Sequence, residues 1–205
     1  KKVGWDCAFR LDTPHLAVYS DRSLAFTRSL AGLLENEVET YRRFYGRVWK
    51  MAPLKAPLKV YVFEAPETYG RMYQTLSGKP PAEGNEGRYE GSSGVLLIGT
   101  TEMLQSRPPD VQAGAQRATA VHEMSHALDH KMSGTYVAGS SVLWLSEGRA
   151  HFLGLSVQGR QVLPGAVRIP KENLILYRLR ETLEHVKGSE VLTLSPEAFM
   201  ADAVP

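Results

Sequence analysis

The chain has 205 residues, of which 43% are hydrophobic, and this is enough to bury one core. Its formal net charge is only +2, and it has no block of like charges typical of a nucleic-acid or membrane-surface protein. A single cysteine, Cys7, excludes an internal disulfide, and no apolar run approaches the roughly 20 residues that span a bilayer.

The first half of the chain alternates strand and helix patterns. The strand patterns cover residues 15–19, 58–64 and 95–99. Residues 21–48 carry apolar side chains at helical spacing, and residues 66–76 favour a helix that opens with a proline. Residues 78–94 are rich in Gly and Pro and are predicted to be a loop. This order indicates a small mixed sheet.

The second half of the chain favours helices. Residues 111–131 are predicted to form one, capped by Asp110, and residues 144–157 have enough apolar positions for another buried helix. Two further helix patterns cover residues 171–185 and 196–201. The sheet and these helices predict an α+β fold.

The run Val-His-Glu-Met-Ser-His at residues 121–126 has the HExxH pattern of zinc hydrolases. Residues four apart lie on one face of a helix, so His122 and His126 can converge on one Zn²⁺. Glu123 points about 100° away round the helix. It is badly placed as a third ligand but can reach a metal-bound water and take its proton.

A catalytic zinc needs a third protein ligand, and Glu147 is the predicted one. It lies in the run Trp-Leu-Ser-Glu-Gly-Arg-Ala-His-Phe at residues 144–152, within the next predicted helix. His151, four residues further on, can share a helical face with Glu147 and is the competing ligand. His130 lies about 12 Å along the helix axis from His122, so we predict that it does not bind the same metal.

These two runs together resemble the active-site helices of gluzincin metallopeptidases, above all bacterial families with HExxH followed by W-L-S-E-G. The resemblance covers about residues 115–157. It implies one zinc per chain, held by His122, His126 and Glu147, with Glu123 as general base. Thermolysin-like members carry an acidic residue four positions after the ligand Glu, where this chain has His151. The contact that orients the first ligand His must therefore come from elsewhere or be lost.

The resemblance implies a zincin-like α+β domain, with a small mixed sheet packed on the active-site helix and a helical C-terminal part. We expect one domain over residues 1–205, with 1–133 and 134–205 as candidate upper and lower lobes. An edge strand is expected to face the cleft and to pair with a peptide substrate, and residues 92–97 are the candidate rim.

The predicted function is hydrolysis of peptide bonds in a peptide or protein substrate by a metal-activated water. Tyr177 and His185 are the candidates for stabilising the oxyanion. The alternatives are a noncatalytic zinc-binding or protein-binding module on the same scaffold, and a purely structural domain without metal. The chain starts at Lys1 rather than a methionine, so a removed signal peptide, and with it a place outside the cytoplasm, is one expectation.

Overall fold

The computed structural model describes residues 7–46, 51–133 and 143–164, all within one compact unit of the chain, Lys1–Val167. Its strands are β1 (Phe9–Asp12), β2 (Leu16–Ser20), β3 (Leu58–Val62), β4 (Gly87–Glu90), β5 (Val95–Ile98), β6 (Val157–Gln158) and β7 (Gln161–Val162). Its helices are α1 (Leu24–Tyr45), α2 (Pro66–Ser77), α3 (Glu102–Gln105), α4 (Pro109–Leu128), continued by a π-helical turn (Asp129–Ser133), and α5 (Leu143–Leu155).

Five strands form a mixed sheet in the order β1-β2-β3-β5-β4. The central strands β2, β3 and β5 are parallel, and β1 and β4 pair with them antiparallel at the two edges. In the register of the last pair, Gly87 lies opposite Ile98 and Tyr89 opposite Leu96. The predicted α+β fold with a small mixed sheet is thus confirmed.

Alternation along the central strands divides the core between the two faces of the sheet. One set of alternate residues packs against α1 and α4, as the buried Val18, Val60 and Leu96 do. The other set, which includes Val95 and Leu97, packs with aromatic residues of α2. Helix α4, which carries the HExxH residues, therefore has its position set by the main core.

A buried glutamine of α4 fixes this helix to the ends of two strands. Gln116 is fully buried, and its side-chain amide donates to the carbonyl oxygens of Phe63, at 3.1 Å, and Gly99, at 2.9 Å. Both carbonyls follow the last residue of a parallel strand. The amide therefore ties α4 to the carboxyl ends of β3 and β5.

The edge of the sheet differs from the sequence prediction. Residues 78–94 were predicted to be a loop, yet they contain β4, and the predicted rim, residues 92–97, leads into β5, an internal strand. The edge strand beside α4 is β4. This strand is short, and Gly87 weakens its strand pattern because glycine has a low strand propensity. The glycine stands there because β4 passes close to α4.

The start of α4 also differs from the prediction. The helix begins at Pro109, with Pro108 as the residue before its first turn, and no side chain caps it. Asp110, the predicted cap, lies inside the first turn, where its negative charge interacts favourably with the helix dipole.

The predicted helices 171–185 and 196–201 lie outside the described residues, and the division into two lobes stays a prediction. Among the described helices, none is both long and apolar enough to cross a bilayer.

Candidate metal and catalytic site

Helix α4 presents its two motif histidines on one face, one turn apart. Their neighbours Val121 and Met124 are fully buried in the core, and this orientation turns His122 and His126 toward α5. His126 is almost buried, with 6% of its side chain exposed, and His122 has 16% exposed. The Nε2 atoms of the two imidazoles are 3.2 Å apart.

Helix α5 packs closely against α4 because it has a glycine at the contact. A methyl group at Gly154 would lie 2.9 Å from the carbonyl oxygen of Ala118 and 3.6 Å from Cβ of His122. The close approach brings Glu147 to the two imidazoles. Its carboxylate oxygens lie 3.3 Å from Nε2 of His122 and 3.3 Å from Nε2 of His126.

The structure therefore brings together the three residues that the sequence proposes as zinc ligands. Tetrahedral coordination with bonds of about 2.0 to 2.1 Å separates two ligand atoms by about 3.3 to 3.4 Å. The observed separations have that size: the two Nε2 atoms are 3.2 Å apart, Oε2 of Glu147 is 3.3 Å from Nε2 of His122, and Oε1 is 3.3 Å from Nε2 of His126. We call these three side chains the ligand triangle. Two nitrogens and one carboxylate are also a donor set that zinc accepts.

A second triad overlaps the first. His122, Glu147 and His151 offer ligand atoms that all lie within 4.8 Å of one another, and this group can hold a metal ion. The rings of His122 and His151 have their centroids 4.4 Å apart. His151 thus stands beside the ligand triangle, four residues after Glu147 as its sequence position requires.

Glu123 is held between α4 and the edge strand. Its Oε2 accepts a hydrogen bond of 2.7 Å from the backbone N–H of Tyr89 in β4. A methyl group at Gly87 would clash with Cγ2 of Thr119 and would lie 2.8 Å from Cγ of Glu123. The absence of a side chain at Gly87 is what lets the edge strand reach this carboxylate.

The charges at the site follow from burial and proximity. Hydrogen bonds to His122 and then to His126 hold the pKa of the Glu147 carboxyl well below its usual range, so it is ionised. Burial would lower the pKa of His126, but the Glu147 and Glu123 carboxylates outweigh it and the net pKa is raised. Burial raises the pKa of Glu123 against the opposing effect of the two imidazoles. A carboxyl with a raised pKa is suited to exchanging protons.

A hydrogen-bonded chain runs from His126 away from the triangle. Nδ1 of His126 lies 3.1 Å from Oγ of Ser146, and that hydroxyl donates to Oδ2 of Asp129 at 3.0 Å. The same carboxylate oxygen accepts from the Arg149 guanidinium at 2.5 Å, and Oδ1 accepts from the hydroxyl of Tyr41. Sequence reasoning missed both Asp129 and Ser146, although Ser146 lies in the second motif-bearing run and Asp129 follows the first run by three residues.

The remaining predicted residues are placed differently. His130 lies one turn beyond His126, and its Nδ1 is 2.8 Å from the hydroxyl of Tyr89. Burial and the nearby Lys131 lower the pKa of His130, and it makes no part of the ligand triangle. Tyr177 and His185, the candidates for oxyanion stabilisation, lie outside the described residues.

The chain matches none of the models of known protein families and none of the curated proteins compared with it. Its function therefore has to follow from the residues of the site.

Proposed function

We propose that the protein is a zinc metallopeptidase of the zincin-like α+β type, which hydrolyses peptide bonds in a peptide or protein substrate. The observation that carries the proposal is the ligand triangle of His122, His126 and Glu147, in which the two imidazole Nε2 atoms are 3.2 Å apart and each lies 3.3 Å from one oxygen of the Glu147 carboxylate. Three protein ligands leave the fourth tetrahedral position open, as catalytic zinc sites do.

These three residues would hold one Zn²⁺ per chain. When bound, zinc supplies Lewis acidity at the open position and lowers the pKa of water there toward about 7. The chain's own contribution is geometric, because the packing of α5 against α4 sets the separations of the ligand atoms. Such preorganisation favours binding, since little conformational freedom remains to be lost.

Glu123 is the proposed general base. It follows the first ligand in α4 and stands beside the triangle without joining it, and the N–H of Tyr89 orients its carboxylate. As an ionised carboxylate it accepts a proton during attack on the carbonyl, and as a neutral acid it passes that proton to the leaving amine. Burial raises the pKa of Glu123, and a raised pKa makes its carboxylate a stronger base for this transfer.

The edge strand β4 supports a peptide as the substrate class. It ends the sheet directly beside α4, and the Tyr89 N–H that reaches Glu123 belongs to it. An extended peptide that paired with this edge would have its carbonyl groups next to the base.

The variant Glu123→Gln tests the proposal. It removes the base and keeps the size of the side chain, so we expect one zinc per chain to remain and cleavage of a random peptide library to be lost. A general base contributes about 10²- to 10⁴-fold, and the loss should be of that size. The matched control is Glu35→Gln, which alters another half-buried carboxylate, one that accepts hydrogen bonds from Thr13 and His15. Full cleavage by Glu123→Gln would contradict the assigned base.

His151 favours a second candidate function, a noncatalytic zinc protein. Because His122, Glu147 and His151 lie within 4.8 Å, a small movement of His151 would let it occupy the open position and close the site. X-ray absorption of the zinc-loaded protein distinguishes the two functions. The closed site predicts three histidine ligands, no cleavage by the wild type and no gain of cleavage in His151→Ala. The peptidase predicts two histidine ligands and a bound water.

A further inference from the structure

Asp129 is a buried carboxylate that the chemistry proposed above does not use. Its side chain is only 1% exposed, and it is the first residue of the π-helical turn that continues α4. An ionised carboxylate in such a place needs strong partners, and the Arg149 guanidinium and the Tyr41 hydroxyl supply them. These two bonds explain how Asp129 tolerates burial, but they leave open why Ser146 also turns its hydroxyl to it.

The single proton of the Ser146 hydroxyl decides the direction of the chain. The hydroxyl donates to Oδ2 of Asp129 at 3.0 Å, so its oxygen can only accept from Nδ1 of His126 at 3.1 Å. The His126 imidazole must then carry a proton on Nδ1. In the neutral imidazole, the form that binds a metal, the lone pair is then on Nε2, the atom that lies 3.3 Å from Oε1 of Glu147.

We propose that Asp129 and Ser146 are positioning residues, which hold His126 in the ring orientation and the tautomer that binds metal through Nε2. This inference rests on the proposed function, because the tautomer matters only if Nε2 is a ligand. A metal-binding histidine usually donates its other N–H directly to a carboxylate or a carbonyl. Here the carboxylate acts through an intervening hydroxyl, and it reaches the second motif histidine.

The placement of the relay explains two features of the sequence that the ligands alone do not. Ser146 directly precedes the ligand Glu147, so the same turn of α5 delivers both a ligand and the partner of another ligand. Arg149 follows on the same helix and neutralises Asp129. The π-helical turn begins at Asp129, three residues after His126, and π-turns are frequent at functional sites.

Ser146→Ala separates the relay from the stability of the fold. It removes the link to His126 and leaves Asp129 paired with Arg149 and Tyr41, so no buried charge loses its counter-ion. We expect the zinc affinity, measured by competition with a chromophoric chelator, to fall about 10- to 100-fold. The thermal unfolding of the metal-free protein should change no more than in the control Ser156→Ala. Ser156 directly follows α5 and is also buried, but its hydroxyl donates to the carbonyl of Phe152.

Two comparisons make the test specific to positioning. Ser146→Thr keeps the hydroxyl, and we expect it to restore most of the zinc affinity. In a His126→Ala background, where direct zinc titration replaces competition, Ser146→Ala should have no additional effect, because the residue that it orients is gone.

The outcomes separate the relay from the proposed function. If the wild type binds zinc and Ser146→Ala binds it with the same affinity, the positioning role is overturned and the peptidase proposal still stands. If Ser146→Ala lowers the zinc affinity by the same factor in the His126→Ala background, the positioning role is also overturned, since the effect would then be structural. A wild-type protein that binds no zinc would overturn the proposed function and the positioning role together.

Discussion

Gly154 determines how closely α5 can approach α4, and replacing it with alanine perturbs the ligand triangle from a distance. A Cβ at this position lies 2.9 Å from the carbonyl oxygen of Ala118, whereas ordinary contact begins at 3.4 Å. The difference, 3.4 minus 2.9, means that the two helices must separate by about 0.5 Å at this point if neither backbone distorts.

Two opposing energies set the effect of Gly154→Ala on stability. Alanine in place of glycine inside a helix favours folding by about 0.5 to 1 kcal/mol. Overpacking of a close contact costs about 1 to 3 kcal/mol. The control is Gly148→Ala, on the exposed side of α5, where an added Cβ meets nothing within 4 Å. We expect Gly148→Ala to stabilise the protein and Gly154→Ala to be less stable than this control by about 1 to 3 kcal/mol.

The same displacement reaches the site, because Glu147 belongs to α5 and both motif histidines belong to α4. Transmitted in full, it would widen the 3.3 Å separations to about 3.8 Å, beyond the span of about 3.4 Å that tetrahedral zinc allows. To bind zinc, the variant would have to bring the ligand atoms back to that span, and we take the strain to be about 1.4 kcal/mol, within the range of overpacking energies. This free energy corresponds to about tenfold weaker zinc binding.

Chelator competition gives the zinc affinity of the wild type and both alanine variants, and urea denaturation gives their stabilities. We expect weaker zinc binding in Gly154→Ala alone. Equal zinc affinities in the two variants would refute the reasoning that the approach of the helices at Gly154 sets the ligand separations.

Two further variants test other contacts of the site and the core. Gly87→Ala should displace Glu123, because the new methyl lies 2.8 Å from Cγ of that residue. We expect kcat/KM to fall at least tenfold while the zinc affinity stays unchanged. Unchanged hydrolysis would contradict the proposed role of β4. Glu37 is fully buried beside Ser125, and burial raises its pKa well above 4.5. In the pH range between its unfolded and folded pKa values the native state binds the extra proton, so wild-type stability falls by about 1.4 kcal/mol for each unit of rising pH. Glu37→Gln should remove this slope in urea denaturation at several pH values, and an identical pH profile would show that Glu37 does not titrate this way.

The described helices α1, α2, α4 and α5 and the central strands were predictable because their signals are local. The apolar spacing of α1 and the alternation in β3 each lie within one element, and the observed bounds differ from the predicted ones by a few residues. The edge strand β4 was missed because its Gly87 weakens the strand pattern. That glycine is required by a contact with α4, and such a contact between distant parts of the chain leaves no local signal.

The sequence predicted that the candidate ligand residues lie close together, and it did not predict the residues that surround them. The spacing of His122 and His126 places both on one helical face, and the family resemblance suggested Glu147, which the structure brings to 3.3 Å from each imidazole. The relay through Ser146 and Asp129 joins residues 17 positions apart. Its geometry depends on the packing of α5 against α4, which no periodicity in the sequence encodes.

The zinc content of the protein tests the central claim most directly. Elemental analysis should be carried out on wild type and Glu147→Ala, both purified without added metal and then again after exposure to zinc. The proposed site predicts about one zinc per chain in the wild type. It predicts that Glu147→Ala loses most of this zinc, because only two of the three protein ligands remain. Wild-type protein that remains metal-free and resists zinc loading, or a variant that retains its zinc, would contradict the His122–His126–Glu147 site.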